Sequence, residues 1–249
     1  MSGKSKINRA VMIIISLVIA WGLKYQYSRS SSDDLVWILA PTACLVEMTG
    51  DMTFDRETDT GYVDHESGII IAPSCSGVNF MIIVFCLSAY TGLKRIKSAP
   101  MQNIWVPVSL AAAYFYTLLV NTFRISLSIY SIRTEFLQTR FSGETVHLLE
   151  GVLVYFIFLL VYNSLLNRII NPDPEKKPLR AFEPVRRHLL PLSLYLSFTL
   201  LVPVLNYGGL PPGRDFIGFA LIVLASCSVV FVLFFLFKTC CHYIAVRVK

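Results

Sequence analysis

Apolar residues in this chain fall in long unbroken blocks divided by short polar stretches. The pattern is unlike the three-and-four spacing of a helix half-buried in a soluble core. The first block runs from about Ile7 to Leu23, after Lys4, Lys6 and Arg9. Five more cover about Ser74 to Leu93, Ile104 to Phe123, His147 to Leu166, His188 to Asn206 and Phe216 to Phe237. Each is near the roughly 20 residues that an α-helix needs to cross about 30 Å of hydrocarbon. A further stretch, about Leu35 to Met48, is shorter and carries Pro41 and Glu47, so it is expected to be re-entrant or interfacial. The predicted fold is all-α: a polytopic transmembrane helical bundle of about six to seven membrane segments, one of them re-entrant. No polar tract is long enough for a separate soluble domain, so residues 1–249 are read as a single integral-membrane domain. Within it, 7–23 is an N-terminal anchor, 35–166 holds the core helices and an acidic outer loop, and 188–237 holds two C-terminal helices.

Composition agrees with lipid as the solvent. Hydrophobic residues make up 55% of the chain and charged residues 15%, against about 25% charged in soluble domains. Trp21 to Tyr25 offers no small-residue cleavage site, so the first block reads as an uncleaved anchor. The net charge of +6 does not call for nucleic acid, because cytoplasmic loops of membrane proteins collect Lys and Arg. With the N-terminus inside and the helices alternating, fifteen of the 22 basic residues fall on the cytoplasmic side. They include Lys4, Lys6, Arg9, Lys94, Arg95 and Lys97, the Pro-rich linker Asn171 to Arg187, and the C-terminal Lys238, Arg247 and Lys249. Asp51, Asp55, Glu57, Asp59, Asp64 and Glu66 then lie outside. The asymmetry requires that the short Leu35 to Met48 segment not cross. Both termini are expected in the cytoplasm, and the bacterial inner (plasma) membrane is the expected location.

This topology sets three polar residues at one depth, near the outer interface, where such groups are costly unless paired or functional. Cys75 opens one helix, Arg124 closes the next and His147 opens a third. Cys75 sits in Pro73-Ser74-Cys75-Ser76-Gly77, turn chemistry ahead of an apolar run that starts at Val78. A thiol at a helix N-terminus faces unsatisfied N–H groups and the positive end of the dipole, the setting of a reactive cysteine. Asn121 lies one turn before Arg124 on the same face, and Glu150 and Gly151 follow His147 at spacings three and four. Glu150 would orient the imidazole or pair with Arg124. Each residue also has a plain structural reading: a packed Cys, a snorkelling Arg, an interfacial His. The other cysteines (Cys44, Cys86, Cys227, Cys240 and Cys241) lie in or beside apolar blocks and show no metal spacing. No metal and no organic cofactor is implied.

Three segments together are more specific: Ala72-Pro73-Ser74-Cys75-Ser76-Gly77-Val78-Asn79-Phe80, Asn121-Thr122-Phe123-Arg124, and His147-Leu148-Leu149-Glu150-Gly151. In order and placement they resemble the exosortase/archaeosortase family, and the compact length is similar to the exosortase K branch. The likeness covers about Leu35 to Leu166. It implies a membrane-embedded cysteine protease or transpeptidase with Cys75 as nucleophile, His147 as general acid/base and Arg124 as stabiliser of substrate or oxyanion. Ser74, Ser76, Gly77, Asn79, Asn121 and Glu150 would support them. The implied partner is an exported protein whose C-terminal sorting signal carries a short motif, a hydrophobic helix and a basic tail, presented within membrane lipid. Two other classes remain open on the residues alone. One is a small-solute transporter using Arg124, Glu150 and His147 as a polar relay; the other is a non-catalytic scaffold that binds a partner through the acidic loop.

Overall fold

A computed structural model describes residues 3–50, 52–134, 143–170, 183–201 and 214–247, and the side chains of 4–50, 52–132, 147–170, 188–200 and 216–237. Most of the linker Asn171 to Arg187, residues 135–142 and the end of the predicted 188–206 helix lie outside the described residues. The structure is all-α, 82% helical, and divides into two compact units, 1–142 and 143–249. Among the described residues five helices are long and apolar enough to cross a membrane: Lys4–Tyr27, Pro73–Arg95, Ala99–Ile132, His147–Ile170 and Phe216–Phe237. The protein is a membrane-embedded helical bundle.

The first unit is built on α1 (Gly3–Tyr27), α3 (Val78–Arg95) and α4 (Ala99–Thr134), with the short α2 (Val36–Glu47) against α4. α3 runs antiparallel to both long neighbours. At one end, the Ser5 hydroxyl donates to the Lys97 carbonyl at 2.5 Å, and the Asn8 amide donates to Gln102 Oε1 at 2.9 Å. At the other end, the Tyr27 hydroxyl donates to the Pro73 carbonyl at 3.5 Å and Lys24 Nζ to Asn79 Oδ1 at 2.8 Å. Between them the Trp105 indole donates to the Ser88 carbonyl at 3.0 Å. That ring fills the space where Gly92 has no side chain. Lys4, Lys6, Arg9, Lys94, Arg95 and Lys97 thus gather at one end of the layer. The Cys75 turn stands at the other.

The segment between α1 and α3 leaves and returns at the same end, since Tyr27 touches Pro73. Within it α2 runs parallel to α4. Trp37 stacks on Tyr114 with ring centroids 5.9 Å apart, and Thr49 Oγ1 lies 3.0 Å from Ser126 Oγ. Twelve residues extend about 18 Å, too short to cross. After α2 comes a feature absent from the sequence-based expectation. The acidic loop folds into a three-stranded antiparallel sheet, β1 (Asp55–Glu57), β2 (Gly61–Asp64) and β3 (Ile69–Ile71), in the order β1-β2-β3. Buried Asp64 closes the β2–β3 turn by accepting from the Ser67 hydroxyl at 2.5 Å and the Glu66 N–H at 3.2 Å. β2 packs on α2, and Arg56 of β1 pairs with Asp33 at 2.7 Å.

Two sequence-based boundaries need correction. α4 does not stop at Phe123: it continues to Thr134, so Arg124 lies inside a helix of 36 residues. Nothing between Arg124 and Thr134 is Gly or Pro, and an arginine, a good helix former, does not end a helix. At about 54 Å the helix is longer than the hydrocarbon is thick. Likewise His147 does not open its helix, because α5 starts at Gly143 and places it in the second turn.

In the second unit α5 (Gly143–Ile170), α6 (Glu183–Leu196, continued by a π-helical turn, Ser197–Leu201) and α7 (Arg214–Arg247) pack together. Phe156 of α5 meets Tyr195 of α6 at 5.4 Å between ring centroids, and His188 of α6 stands edge-on to Phe234 of α7 at 5.1 Å. The buried His188 Nδ1 is 3.1 Å from the Asn163 side chain. Within the described residues the apolar stretch that begins within α6 is His188–Leu200.

A Gly92→Ala substitution forces its methyl into the Trp105 indole. It is expected to lower stability by about 1–3 kcal/mol, read as a fall in the thermal midpoint of the purified protein in detergent. An unchanged midpoint would show that α3 and α4 can separate without loss.

Candidate active site

The Cys75 turn is shaped by its own backbone first. Ala72 is extended, Pro73 pre-sets the first turn position, and Pro73–Cys75 forms a single 3₁₀ turn. The Cys75 N–H donates to the Ala72 carbonyl at 2.8 Å and the Ser76 N–H to the Pro73 carbonyl at 3.1 Å. Gly77 then adopts φ 74°, a left-handed conformation that strains any residue with a side chain, and α3 begins at Val78. Cys75 therefore stands just outside the helix rather than in its first turn. Ser76 and Gly77 are buried, Cys75 is half-buried and Ser74 is exposed.

Two neighbouring helices hold this turn. From α4, the fully buried Asn121 donates its side-chain amide to the Cys75 carbonyl at 2.6 Å. Arg124 follows one turn later with 7% of its surface exposed, so the charge predicted beside the thiol is a buried one. From α1, the Tyr27 hydroxyl meets the Pro73 carbonyl and the Ser76 side chain, and lies within electrostatic reach of both Cys75 and Arg124. The first unit thus brings together Cys75, Ser76, Gly77, Asn121 and Arg124.

Asn79 takes a different part from the one expected. It is exposed and bound to Lys24, so it ties α1 to α3 rather than lining the Cys75 turn. Tyr27 and Lys24 read from the sequence as outer-boundary residues and not as part of the site. Their one signal is spacing: two polar residues three apart share a face at the end of the first apolar block, and Lys24 Nζ sits 5.2 Å from the Tyr27 ring centroid.

His147, Glu150 and Gly151 belong to the second unit, on α5. His147 is exposed there, whereas Glu150 is 9% exposed and Gly151 is buried. The i, i+3 spacing sets His147 and Glu150 on one face of α5. Of the other cysteines, Cys44 is exposed on α2, Cys86 is half-buried in α3 and Cys227 is buried in α7. Among the described residues no three His, Cys, Asp or Glu side chains form a group able to hold a metal ion.

Comparison with protein-family models, with curated proteins and with solved structures finds no match to this chain. The fold and the site define a class only: a membrane-embedded helical protein with a half-buried thiol turn clamped by buried polar groups. That arrangement offers a nucleophile, a fixed cation, an amide donor and a hydroxyl within one unit.

Replacing Asn121 with Leu leaves the Cys75 carbonyl without its amide donor, a loss of about 1–3 kcal/mol at a buried site. Cys75 is then expected to react several-fold faster with a maleimide, in a chain whose other cysteines are alanine. Tyr27→Phe should give a smaller change in the same direction. Labelling at the parent rate in both variants would count against the clamp.

Proposed function

We propose that the protein is a membrane-embedded cysteine protease or transpeptidase that processes C-terminal sorting signals of exported proteins. The observation that carries this reading is the convergence of α4 and α1 on Cys75: Asn121 holds its carbonyl at 2.6 Å, and Arg124 and Cys75 share electrostatic contact with the Tyr27 hydroxyl. A buried guanidinium in the electrostatic neighbourhood of a turn that carries a thiol and is held at its backbone is suited to an anionic transition state. A structural cysteine would need neither.

The polarity of the first unit supports the side on which the reaction takes place. Six basic residues gather at the end opposite the Cys75 turn, while the acidic hairpin belongs to the segment that departs from and rejoins the Cys75 end. Under the positive-inside tendency the basic end is cytoplasmic, which favours a thiol at the outer face of a bacterial inner membrane.

In the proposed reaction the substrate's hydrophobic C-terminal helix enters laterally and brings its scissile peptide to the outer interface. The Cys75 thiolate attacks the carbonyl, and Arg124 stabilises the tetrahedral oxyanion. His147 gives a proton to the leaving amine as the C–N bond breaks, leaving a thioester on Cys75. An acceptor amine or water, deprotonated by His147, then displaces the thiolate and frees the product. Glu150, three residues on along α5, orients the imidazole in this reading or serves as a partner for Arg124.

The test is processing of a co-expressed exported protein ending in a sorting signal. Cys75→Ala should abolish it with membrane insertion unchanged. Arg124→Gln should slow it by about 10²–10³-fold, and His147→Ala by about 10²–10⁴-fold. Processing at the parent rate in Cys75→Ala would remove the nucleophile and the enzyme reading with it.

A further inference from the structure

The sheet has two edges of opposite character. On β1 all three residues, Asp55, Arg56 and Glu57, are charged, and Arg56 is tied down by Asp33. Natural proteins defend exposed strand edges in just this way, since unpaired backbone groups are a template for another strand. β3 is the other edge. It consists of Ile69, Ile70 and Ile71, pairs with β2 only, and carries no charge, proline or bulge. Ile70 is 48% exposed. Residues of high strand propensity, uncharged and exposed at Ile70, make β3 able to accept a further strand.

The chain just beyond β3 suggests the occupant. Ile71 is separated from Cys75 only by extended Ala72 and the first two residues of the 3₁₀ turn. Four residues span at most about 14 Å, so a strand laid along Ile69–Ile71 and continued past it reaches the thiol. Proteolytic sites need the scissile segment extended, because a helical or turned peptide hides its carbonyl from the nucleophile. On the inner side β3 is fixed: Gly61, at φ 124°, leaves no room for a Cβ against the Ile71 carbonyl. Among the described residues no strand pairs with its outer side.

We propose that the outer edge of β3 is a docking strand for an extended segment of the polypeptide substrate, paired with Ile69–Ile71 so that its scissile bond lies at Cys75. The proposal rests on the acyl-transfer reading of Cys75 and adds how the substrate is held. Backbone hydrogen bonds supply the affinity, so recognition of this part of the substrate depends on its extended shape more than on its side chains.

The experiment places a photo-cross-linking benzoylphenylalanine at Ile70, or at Asp55 as control, in the full-length Cys75→Ala protein in membranes. The probe is the same co-expressed exported protein with a C-terminal sorting signal. A cross-link to that protein from position 70 and not from 55 is expected. Equal capture at both positions, or a product of twice the chain's own mass, would overturn the proposal, the latter by showing that a second copy occupies the edge.

Processing is measured in parallel with Ile69→Pro and Ile70→Pro, each on the Cys75 parent. In an antiparallel strand, neighbouring residues aim their N–H groups to opposite sides, so one of the two substitutions removes an outward donor and leaves the β2 ladder whole. That variant, recognised by parental maleimide labelling of Cys75, should process about tenfold more slowly. Processing at the parent rate in it would also overturn the proposal.

The two readings fail differently. Cross-linking at 70 with processing that survives Cys75→Ala would sink the enzyme and leave a binding edge. Processing that needs Cys75 but shows no capture at 70 would sink the edge and keep the enzyme.

Discussion

The enclosure of α3 between α1 and α4 is the constraint on which the first unit depends. Of the segment that crosses as α3, 83% is buried, against 11% for α1 and 33% for α4. Lipid provides no hydrophobic drive for helices to associate, so packing and interhelical hydrogen bonds must hold them. The bonds lie at the two ends: Ser5, Asn8 and Gln102 at one, and Lys24, Tyr27, Asn79 and Asn121 at the other. The middle is left to close contact, with Trp105 lying where Gly92 has no side chain. The Cys75 turn at the end of this enclosed helix inherits its rigidity. It needs no scaffold of its own.

Burial of Arg124 has a related effect. A guanidinium kept from water interacts more strongly with its neighbours than one that snorkels to headgroups. Its position inside α4, rather than at a fraying end, fixes where that charge stands. Tyr27 brings a hydroxyl from α1 into the same field, so the environment of Cys75 is assembled from three helices. In the proposed chemistry this is pre-organisation: the charge is in place before the oxyanion forms.

Much of this was legible in the residues. Blocks of about twenty apolar positions locate the long helices because lipid tolerates nothing else, and Pro-Ser-Cys-Ser-Gly marks a turn before a helix. The short α2 was readable as non-crossing from its length. Other features carried no local signal. The end of α4 was misplaced because Arg124 looks like an interface marker although helix propagation ignores it. The three strands were missed because Asp55–Glu57 and Ile69–Ile71 are each three residues long, too short for alternation to show, and charge dominates the segment. Tyr27 was passed over because its role depends on which helix ends meet, a tertiary fact. The bond from Asn121 to the Cys75 carbonyl, by contrast, gives a structural role to a residue that the motif had already singled out.

Residues 28–72 begin and end at one hydrogen-bonded contact, Tyr27 to Pro73. An excursion whose base is held shut by its surroundings adds little closure entropy when its length changes. The turns of the sheet are therefore a cassette, whereas α2 is anchored on α4 by its buried face and the Trp37–Tyr114 stack. The turns can be lengthened, shortened or exchanged while the ends of α1 and α3 keep their places. Diversification of what such a protein recognises would fall on this cassette and leave the thiol, its amide clamp and its buried cation untouched.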